Sequence, residues 1–376
     1  MIYLDNSATT GKKPYMVKKA ILQELEESAN PGRSSHFSGL RALNKIYEAR
    51  EQLSRLFKIN EPENFILTPN ATYALNFAIK GLLKPFDHCI TTTMEHNSVI
   101  RPLNSLKNVD ISYVKGDTSG YISPSLISEK IKSNTKLIII NHSSNVNGIV
   151  QDIKKIAELV KAYNIPILID ASQRAGTIDT DWSSFSMIAL AGHKSLYGPQ
   201  GTGGLYVNSK INLNTIVEGG TGSNSKDKKN PEEYPDRLES GTLNTPGFSG
   251  LTEGIKFVLE HGISNIKEYE HYLISHLLSS LSNMKNITLY SPFDVKLLSN
   301  LISFNINGME SSLVADILNR EYNIAVRPGY HCAYMAHETL GSSETGSVRV
   351  SVSYFNKLSE IKYLIDAINK ISKNRS

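Results

Sequence analysis

The sequence predicts an α/β fold with a large domain built on a mainly parallel sheet and a smaller α+β domain. From about residue 14 to about residue 255, helical and strand-like patterns alternate, which is typical of βαβ units. The strand candidates in this part are short, continuous apolar runs, the pattern of strands covered on both faces. The last third of the chain is mainly helical, with two strand candidates. We therefore expect a large domain over residues 14–255 and a small domain made of residues 1–13 and 256–376.

Hydrophobic periodicity predicts the individual elements. Helices are expected at residues 72–83 and 152–163, and strands at residues 137–140, 165–169, 187–190, 203–207, 300–305 and 347–353. In the second helix one apolar stripe is formed by Ile153, Ile156, Ala157, Leu159 and Val160. Residues 219–237 are rich in Gly, Ser, Asn and Lys and contain two prolines, so we expect a long loop.

Composition excludes several classes of protein. The 376 residues contain 40 Lys+Arg and 36 Asp+Glu, and a net charge of +4 is too small to indicate a nucleic-acid or membrane-surface partner. No apolar run approaches the ~18 residues of a membrane span, and the first residues lack a signal-peptide core. The two cysteines, Cys89 and Cys332, are too few for a disulfide framework, so we expect a cytoplasmic protein. Either cysteine can still be a reactive thiol.

A carboxylate and a lysine stand at the ends of two predicted strands. Asp170 follows residues 165–169, and a buried aspartate needs a cation or several donors, although alone it could simply cap a helix. Lys194 follows residues 187–190 and lies between two glycines, where a crowded amine loses proton affinity and becomes a Schiff-base nucleophile. Together the two residues predict a site for pyridoxal phosphate (PLP). Lys194 would form a Schiff base with the aldehyde carbon, and Asp170 would pair with the pyridinium nitrogen.

Many short segments, in the same order along the chain, resemble motifs of the PLP-dependent class V aminotransferase family. Within that family they resemble the short-loop (Suf-type, NifS-like) branch of cysteine desulfurases. These segments are residues 3–10 (YLDNSATT), 30–36 (NPGRSSH), 70–76 (NATYALN), 95–98 (EHNS), 144–148 (SNVNG), 170–173 (DASQ), 192–194 (GHK), 198–204 (GPQGTGG), 240–242 (SGT), 327–332 (RPGYHC) and 348–351 (VRVS). The resemblance runs almost end to end. It implies a PLP-dependent aspartate-aminotransferase-like fold and the conversion of L-cysteine to L-alanine.

The resemblance also implies which residues contact the cofactor. Lys194 would bind PLP and later move the Cα proton, Asp170 would pair with the pyridinium nitrogen, and Gln173 would bond the phenolic oxygen. His96 would stack on the ring and act as an acid or base; without the resemblance it would be an ordinary core histidine. The phosphate contacts implied within the subunit are Ala71, Thr72 and His193. Gly241 and Thr242 match a segment that reaches the phosphate of the neighbouring subunit, which implies a homodimer.

A second set of residues is implied for the substrate. Asn145 would contact both the cofactor and the substrate amino acid, and Arg349 would hold the carboxylate, which a guanidinium binds bidentately. Arg33 and His36 would lie near the entrance.

Cys332 decides between reactions, because desulfuration needs a thiolate that takes sulfur as a persulfide. Its position between Arg327 and Arg349 favours the thiolate, whereas the ordinary interpretation of a free cysteine is a small buried hydrophobe. We adopt that second interpretation for Cys89. The spacing of His331, Cys332 and His337 matches no zinc pattern, so no metal is expected.

The sequence therefore predicts a cysteine desulfurase that passes its sulfur to a thiol or to a sulfur-acceptor protein. A second hypothesis is a selenocysteine lyase acting on L-selenocysteine, or another class V aminotransferase or β-lyase. A third is a non-catalytic scaffold with a PLP fold. Its support is Ala191, which stands where the family usually has a hydroxyl residue.

Overall fold

The chain folds into three β-sheets flanked by helices in a computed structural model that describes residues 1–31, 36–178 and 180–373. The strands are β1 (Ile2–Tyr3), β2 (Phe65–Thr68), β3 (His88–Thr92), β4 (Asp110–Val114), β5 (Thr135–Asn141), β6 (Ile167–Asp170), β7 (Met187–Ala191), β8 (Gly203–Val207), β9 (Ile287–Leu289), β10 (Leu301–Ile306), β11 (Ile324–Ala325) and β12 (Val348–Ser351). The helices are α1 (Tyr15–Glu26), α2 (Phe37–Phe57), α3 (Ala71–Leu82), α4 (Asn97–Ser105), α5 (Pro124–Ser128), α6 (Ile153–Val160), α7 (Thr245–His261), α8 (Ile263–Ser282), α9 (Ser311–Tyr322), α10 (Tyr334–Leu340) and α11 (Leu358–Lys373).

The central sheet has the strand order β2-β8-β7-β6-β5-β3-β4. Strands β7, β6, β5, β3 and β4 pair in parallel, whereas β8 pairs antiparallel with both of its neighbours. A mainly parallel sheet, as predicted from the continuous apolar runs, is therefore confirmed. The carboxyl ends of β5, β6 and β7 lie side by side, because Asn141 pairs with Asp170 and Asp170 with Ala189.

The predicted elements are confirmed with small shifts at their ends. Strand β8 has the predicted bounds, and α3 begins and ends one residue early. No helix or strand occurs between β8 and α7, so residues 219–237 form the expected loop.

The predicted apolar stripe of α6 is wrong at one position. Ile153, Ile156 and Val160 are buried, but Leu159 is 41% exposed. Consecutive helical residues are 100° apart, so Leu159 points away from the face that Val160 buries.

A second hydrophobic core lies around the antiparallel sheet β12-β10-β9, which packs on α8, α9 and α11. The predicted strands at residues 300–305 and 347–353 are β10 and β12. The division of the chain at residue 255 stays a prediction, and that residue lies inside α7. In the described residues no helix is long and apolar enough to cross a membrane.

The N-terminal segment connects the second core to the central sheet. Strand β1 pairs in parallel with β11, and Leu4 is buried in the second core. The Ser7 amide donates to Ser351 Oγ at 2.9 Å, and the Thr10 amide donates to the His193 carbonyl at 3.1 Å. This crossing brings residues 5–10 to the carboxyl edge of the sheet.

Gly203 allows the turn before α3 to approach the central sheet. A Cβ atom added at Gly203 would lie 2.6 Å from the Asn70 carbonyl carbon and 2.9 Å from the Ala71 nitrogen. The next residue, Gly204, has more room, since its nearest neighbours would lie at 3.5 Å.

We predict that Gly203→Ala destabilises the protein by about 1–3 kcal/mol, because backbone atoms cannot move aside as a flexible side chain can. Gly204→Ala is the matched control and should cost less. Thermal unfolding of both variants measures the difference. Equal melting temperatures would contradict the close approach.

Candidate active site

A cavity of about 220 Å³ opens at the carboxyl edge of the central sheet. It lies where ligands bind in doubly wound α/β folds. The sequence-predicted residues that line it are Ala71, Thr72, His96, Asn145, Asp170, Gln173, His193, Lys194 and Arg349. The structure therefore collects in one place most of the residues that the resemblance named.

Asp170 and Gln173 line the cavity, and each side chain is held by a hydrogen bond to the protein backbone. Asp170 ends β6, and its Oδ1 accepts a hydrogen bond of 2.9 Å from the Ser172 amide. Gln173 donates through Nε2 to the Ser7 carbonyl at 3.2 Å. Both side chains are buried, so their orientations are set by the protein itself.

Lys194 follows β7, and its carbonyl accepts a 2.5 Å hydrogen bond from Thr10 Oγ1. Removal from solvent lowers the pKa of its amine from 10.5 to about 8; Asp170 opposes this shift, and the positive charges of Arg349 and Arg327 add to it. A substantial fraction of Lys194 is therefore neutral near physiological pH, as a Schiff-base nucleophile requires.

His96 caps α4, and its Nδ1 accepts a hydrogen bond of 3.0 Å from the Ser98 amide. Burial lowers the pKa of its imidazole, and the neighbouring Lys194 ammonium lowers it further. The ring is therefore neutral. Since Nδ1 accepts, the remaining proton lies on Nε2.

The start of α3 is suited to an anion. Asn70 caps the helix by accepting a 3.2 Å hydrogen bond from the Tyr73 amide. The first amides of a helix have no intrahelical partner, and the helix dipole favours negative charge there. Thr72 Oγ1 lies 2.8 Å from Ser98 Oγ, which ties this turn to α4.

Five polar atoms on the cavity wall are buried and have no hydrogen-bond partner among the described residues. They are Ser7 Oγ, Asn141 Oδ1, His193 Nδ1, His331 Nδ1 and Arg349 Nε. Buried polar atoms are normally paired, so this wall is built to bind a polar ligand. Together with Lys194, Asp170 and the start of α3, it fits PLP, which offers an aldehyde, a pyridinium nitrogen and a phosphate.

Arg349 is 1% exposed and is held by two contacts. Its Nη2 lies 2.8 Å from Asp5 Oδ1, and its Nη1 donates to the Asn145 carbonyl at 2.9 Å. Burial lowers the pKa of the guanidinium, and Asp5 opposes this effect. Among the described residues, Nε of this side chain has no hydrogen-bond partner, and Arg349 lines the cavity.

Sequence reasoning missed Asp5 and gave Arg327 no role in the cavity. Arg327 lines the cavity because it forms a β-bridge with Arg349. A buried arginine needs an acidic partner, and that rule could have led to Asp5.

Glu95 was also missed. It is fully buried, and its Oε1 accepts from Thr92 Oγ1 at 2.7 Å and from the Asn141 amide at 3.0 Å. Burial raises its pKa to about 8, and the charge of Asp170 adds to this effect. Glu95 therefore connects the ends of β3 and β5 as a neutral acid at physiological pH.

Cys332 lies outside the cavity wall, in a neighbouring groove, and its side chain is exposed. Both His331 (φ 49°) and Cys332 (φ 59°) adopt the left-handed conformation. Asn145 Nδ2 donates to the His331 carbonyl at 2.6 Å, and the Asn97 amide donates to the Cys332 carbonyl at 2.8 Å. The exposed thiol therefore lies on a turn whose backbone carbonyls accept two hydrogen bonds from Asn145 and Asn97. Cys89, by contrast, is fully buried, as predicted, and burial raises its pKa.

Some predicted residues lie elsewhere. Gly241 and Thr242 are exposed and line a different cavity of about 420 Å³. His36 caps α2, where its Nδ1 accepts from the Gly39 amide at 3.1 Å. Arg33 lies outside the described residues. Within the described ranges, no cluster of three or more His, Cys, Asp or Glu could hold a metal ion.

The fold and the cavity together define a PLP-dependent enzyme of the aspartate-aminotransferase-like type. Its lysine and its aspartate stand at the ends of adjacent parallel strands, on a wall of unpaired polar atoms.

Comparison with known proteins identifies the family. Residues 2–364 match the model of the class V aminotransferases, and the chain belongs to this family. It is 33% identical to the "Probable cysteine desulfurase" of Methanothermobacter thermautotrophicus, over 99% of this chain and 94% of that protein. It is 30% identical to the cysteine desulfurase of Wigglesworthia glossinidia brevipalpis, over 99% of this chain and 93% of that protein. A solved cysteine desulfurase from Thermococcus onnurineus superposes with a TM-score of 0.90 at 29% identity, covering 99% of this chain and 95% of that one.

The lowered pKa of Lys194 predicts how PLP capture depends on pH. The rate at which cofactor-free protein binds PLP should rise with pH, with its midpoint near pH 8, and level off roughly one pH unit higher, because the reactive form is the neutral amine. Asp170→Asn should move this inflection to lower pH, since the carboxylate of Asp170 stabilises the ammonium. Stopped-flow absorbance measures the rate, and Lys194→Ala is the control without the amine. A rate that still climbs steeply above pH 9.5 would contradict the prediction.

The raised pKa of Glu95 predicts a pH-dependent stability. The folded protein keeps this proton up to about pH 8, whereas the unfolded chain loses it near 4.5, so stability falls between these values as pH rises. Glu95→Gln removes the titration, and its stability relative to wild type should increase by about 1–3 kcal/mol from pH 5 to pH 8.5. Denaturant unfolding at the two pH values measures the change. Glu26→Gln, on the exposed face of α1, is the control and should show no such trend.

Proposed function

We propose that the protein is a PLP-dependent cysteine desulfurase, which converts L-cysteine to L-alanine and takes up the sulfur as a persulfide on Cys332. The observation that carries this proposal is the exposed Cys332 on a firmly held turn beside the cavity of Lys194 and Asp170. The names of the relatives support the same reaction.

In this proposal, Arg349 and Arg327 bind the carboxylate of the substrate. Arg349 lines the cavity, its buried Nε has no partner among the described residues, and Arg327 adds a second positive charge to the same wall. A carboxylate bound there would satisfy the orphaned Nε–H and offset the cost of burying the Arg349 guanidinium.

Proton transfer at the substrate Cα is the task of Lys194. When bound, PLP supplies an electron sink for the negative charge that develops at Cα. The neutral amine of Lys194 accepts the Cα proton, and the resulting ammonium is stabilised by the carboxylate of Asp170. The neutral His96 presents an Nε2–H that can donate to the substrate.

Sulfur transfer is the task of Cys332. Its thiolate attacks the sulfur of the substrate, the Sγ–S bond forms, and the Cβ–S bond breaks. The electron pair of the broken bond stays on Cβ, which takes up a proton as alanine is formed. The reaction is internally balanced, because the thiol sulfur is oxidised to a persulfide while the substrate carbon is reduced.

We further propose a cytoplasmic homodimer with shared active sites. Gly241 and Thr242 are exposed and lie away from the cavity of their own subunit, which supports a role at the phosphate of a second subunit. The persulfide would then be discharged to a thiol or to an acceptor protein.

We predict that Cys332→Ala reduces steady-state alanine release from L-cysteine at least about 100-fold, because the variant lacks the nucleophile. Binding of PLP, followed by its absorbance, should be unchanged. Cys89→Ala is the matched control and should keep its activity, since that thiol is fully buried. Full alanine release by Cys332→Ala would refute the persulfide role, and an inactive wild type with bound PLP would refute the desulfurase assignment.

A further inference from the structure

A groove of about 490 Å³ lies beside the active-site cavity and contains Cys332. Helices α3 and α4 form its walls. The two spaces are separated by Thr72, His96 and Ser98, which line both of them. Cys332 lines only the groove. Its thiol can therefore be approached from a side that the substrate cavity does not occupy.

The groove is positively charged. Helix α3 has Lys80 as its one residue with a charged side chain, α4 has Arg101, and both line the groove. Neither makes an ion pair or side-chain hydrogen bond with any described residue. No acidic side chain is among the described residues that line the groove. Unpaired cations in a concave site attract anions.

The remaining lining is small and polar. Asn76, Ser98 and Ser105 offer hydrogen bonds, and the groove volume is that of a site for a small molecule. The Asn97 amide donates to the Cys332 carbonyl, so the cysteine turn is attached directly to the wall of the groove.

We propose that this groove is the binding site of the sulfur acceptor and that the acceptor is a small thiol carrying a carboxylate. The proposal deepens the proposed desulfurase function and rests on it. Lys80 and Arg101 bind the carboxylate and so bring the acceptor thiol to Cys332.

The transfer step is a thiol–persulfide exchange. The acceptor thiolate attacks the outer sulfur of the Cys332 persulfide, a new S–S bond forms, and the bond to Cys332 Sγ breaks. The electron pair goes to Sγ, so Cys332 leaves as a thiolate and the acceptor becomes a persulfide. No outside oxidant or reductant is needed.

The first test uses the holoenzyme without substrate and two disulfide reagents. Dithiobis(nitrobenzoate) is an anion and 4,4′-dithiodipyridine is neutral, and both report on Cys332 because Cys89 is fully buried. We expect Lys80→Gln/Arg101→Gln to slow the anionic reagent roughly three- to tenfold and the neutral reagent by less than about twofold. High salt should remove the difference.

The matched control is Lys362→Gln/Lys370→Gln, which removes the same charge from exposed positions of α11. It should leave both rates unchanged. Equal slowing of both reagents in the groove variant, no slowing at all, or the same slowing in the control would overturn the proposal.

The second test measures discharge of a ³⁵S-labelled persulfide formed in one turnover. The groove variant should form alanine in that turnover as wild type does. It should then lose label to 3-mercaptopropionate roughly three- to tenfold more slowly, and to 2-mercaptoethanol at the wild-type rate. Absence of alanine formation in wild type would refute the desulfurase function. Normal alanine formation, with equal rates of label loss from the groove variant and wild type for both thiols, would refute only the proposal that the groove binds the acceptor.

Discussion

The active site depends on one constraint, which is the free-energy cost of burying charged side chains away from water. One cavity contains Lys194, Asp170, Arg327 and Arg349, and Arg349 is almost completely buried. A charge that is withdrawn from water is costly unless it is paired, so it must be compensated or lost. Arg349 is compensated by Asp5, and Lys194 responds by a pKa lowered to about 8. The neutral amine that Schiff-base chemistry requires is thus a consequence of how the surrounding charges are buried.

The N-terminal segment is what makes this compensation possible. Asp5 holds Arg349, the Ser7 carbonyl holds Gln173, and Thr10 holds the backbone at Lys194. A segment of a few residues thereby connects the second core with Arg349, Gln173 and Lys194. Its strand β1 has two residues and pairs with β11, so the contacts of Asp5, Ser7 and Thr10 add to the sheet pairing that holds the segment.

The separation of Cys332 from the cavity divides the chemistry between two spaces. In the proposed reaction, proton transfer at Cα takes place in the cavity of Lys194, where burial lowers the pKa of Lys194 and of His96. In the proposed reaction, sulfur leaves through the thiol of Cys332, which is exposed in a basic groove and held by the backbone contacts of His331 and Cys332. The cysteine turn lies between the two spaces, because His331 lines the cavity and Cys332 lines the groove.

The sequence by itself determined the α/β class, most of the strands and the likeness to cysteine desulfurases, and it predicted Asp170 and Lys194 as the cofactor pair. Those conclusions depend on local patterns: apolar runs, a polar residue at the end of a strand, and short motifs whose order along the chain can be read directly. Only the tertiary structure decided that Asp5 pairs with Arg349, that Glu95 is buried behind the cavity, and that Cys332 opens into a basic groove. Asp5 and Arg349 are 344 residues apart in the chain, and Lys80, Arg101 and Cys332 come from three separate elements. Burial, and with it pKa and reactivity, depends on which distant segments surround a side chain, and no local pattern in the sequence specifies that.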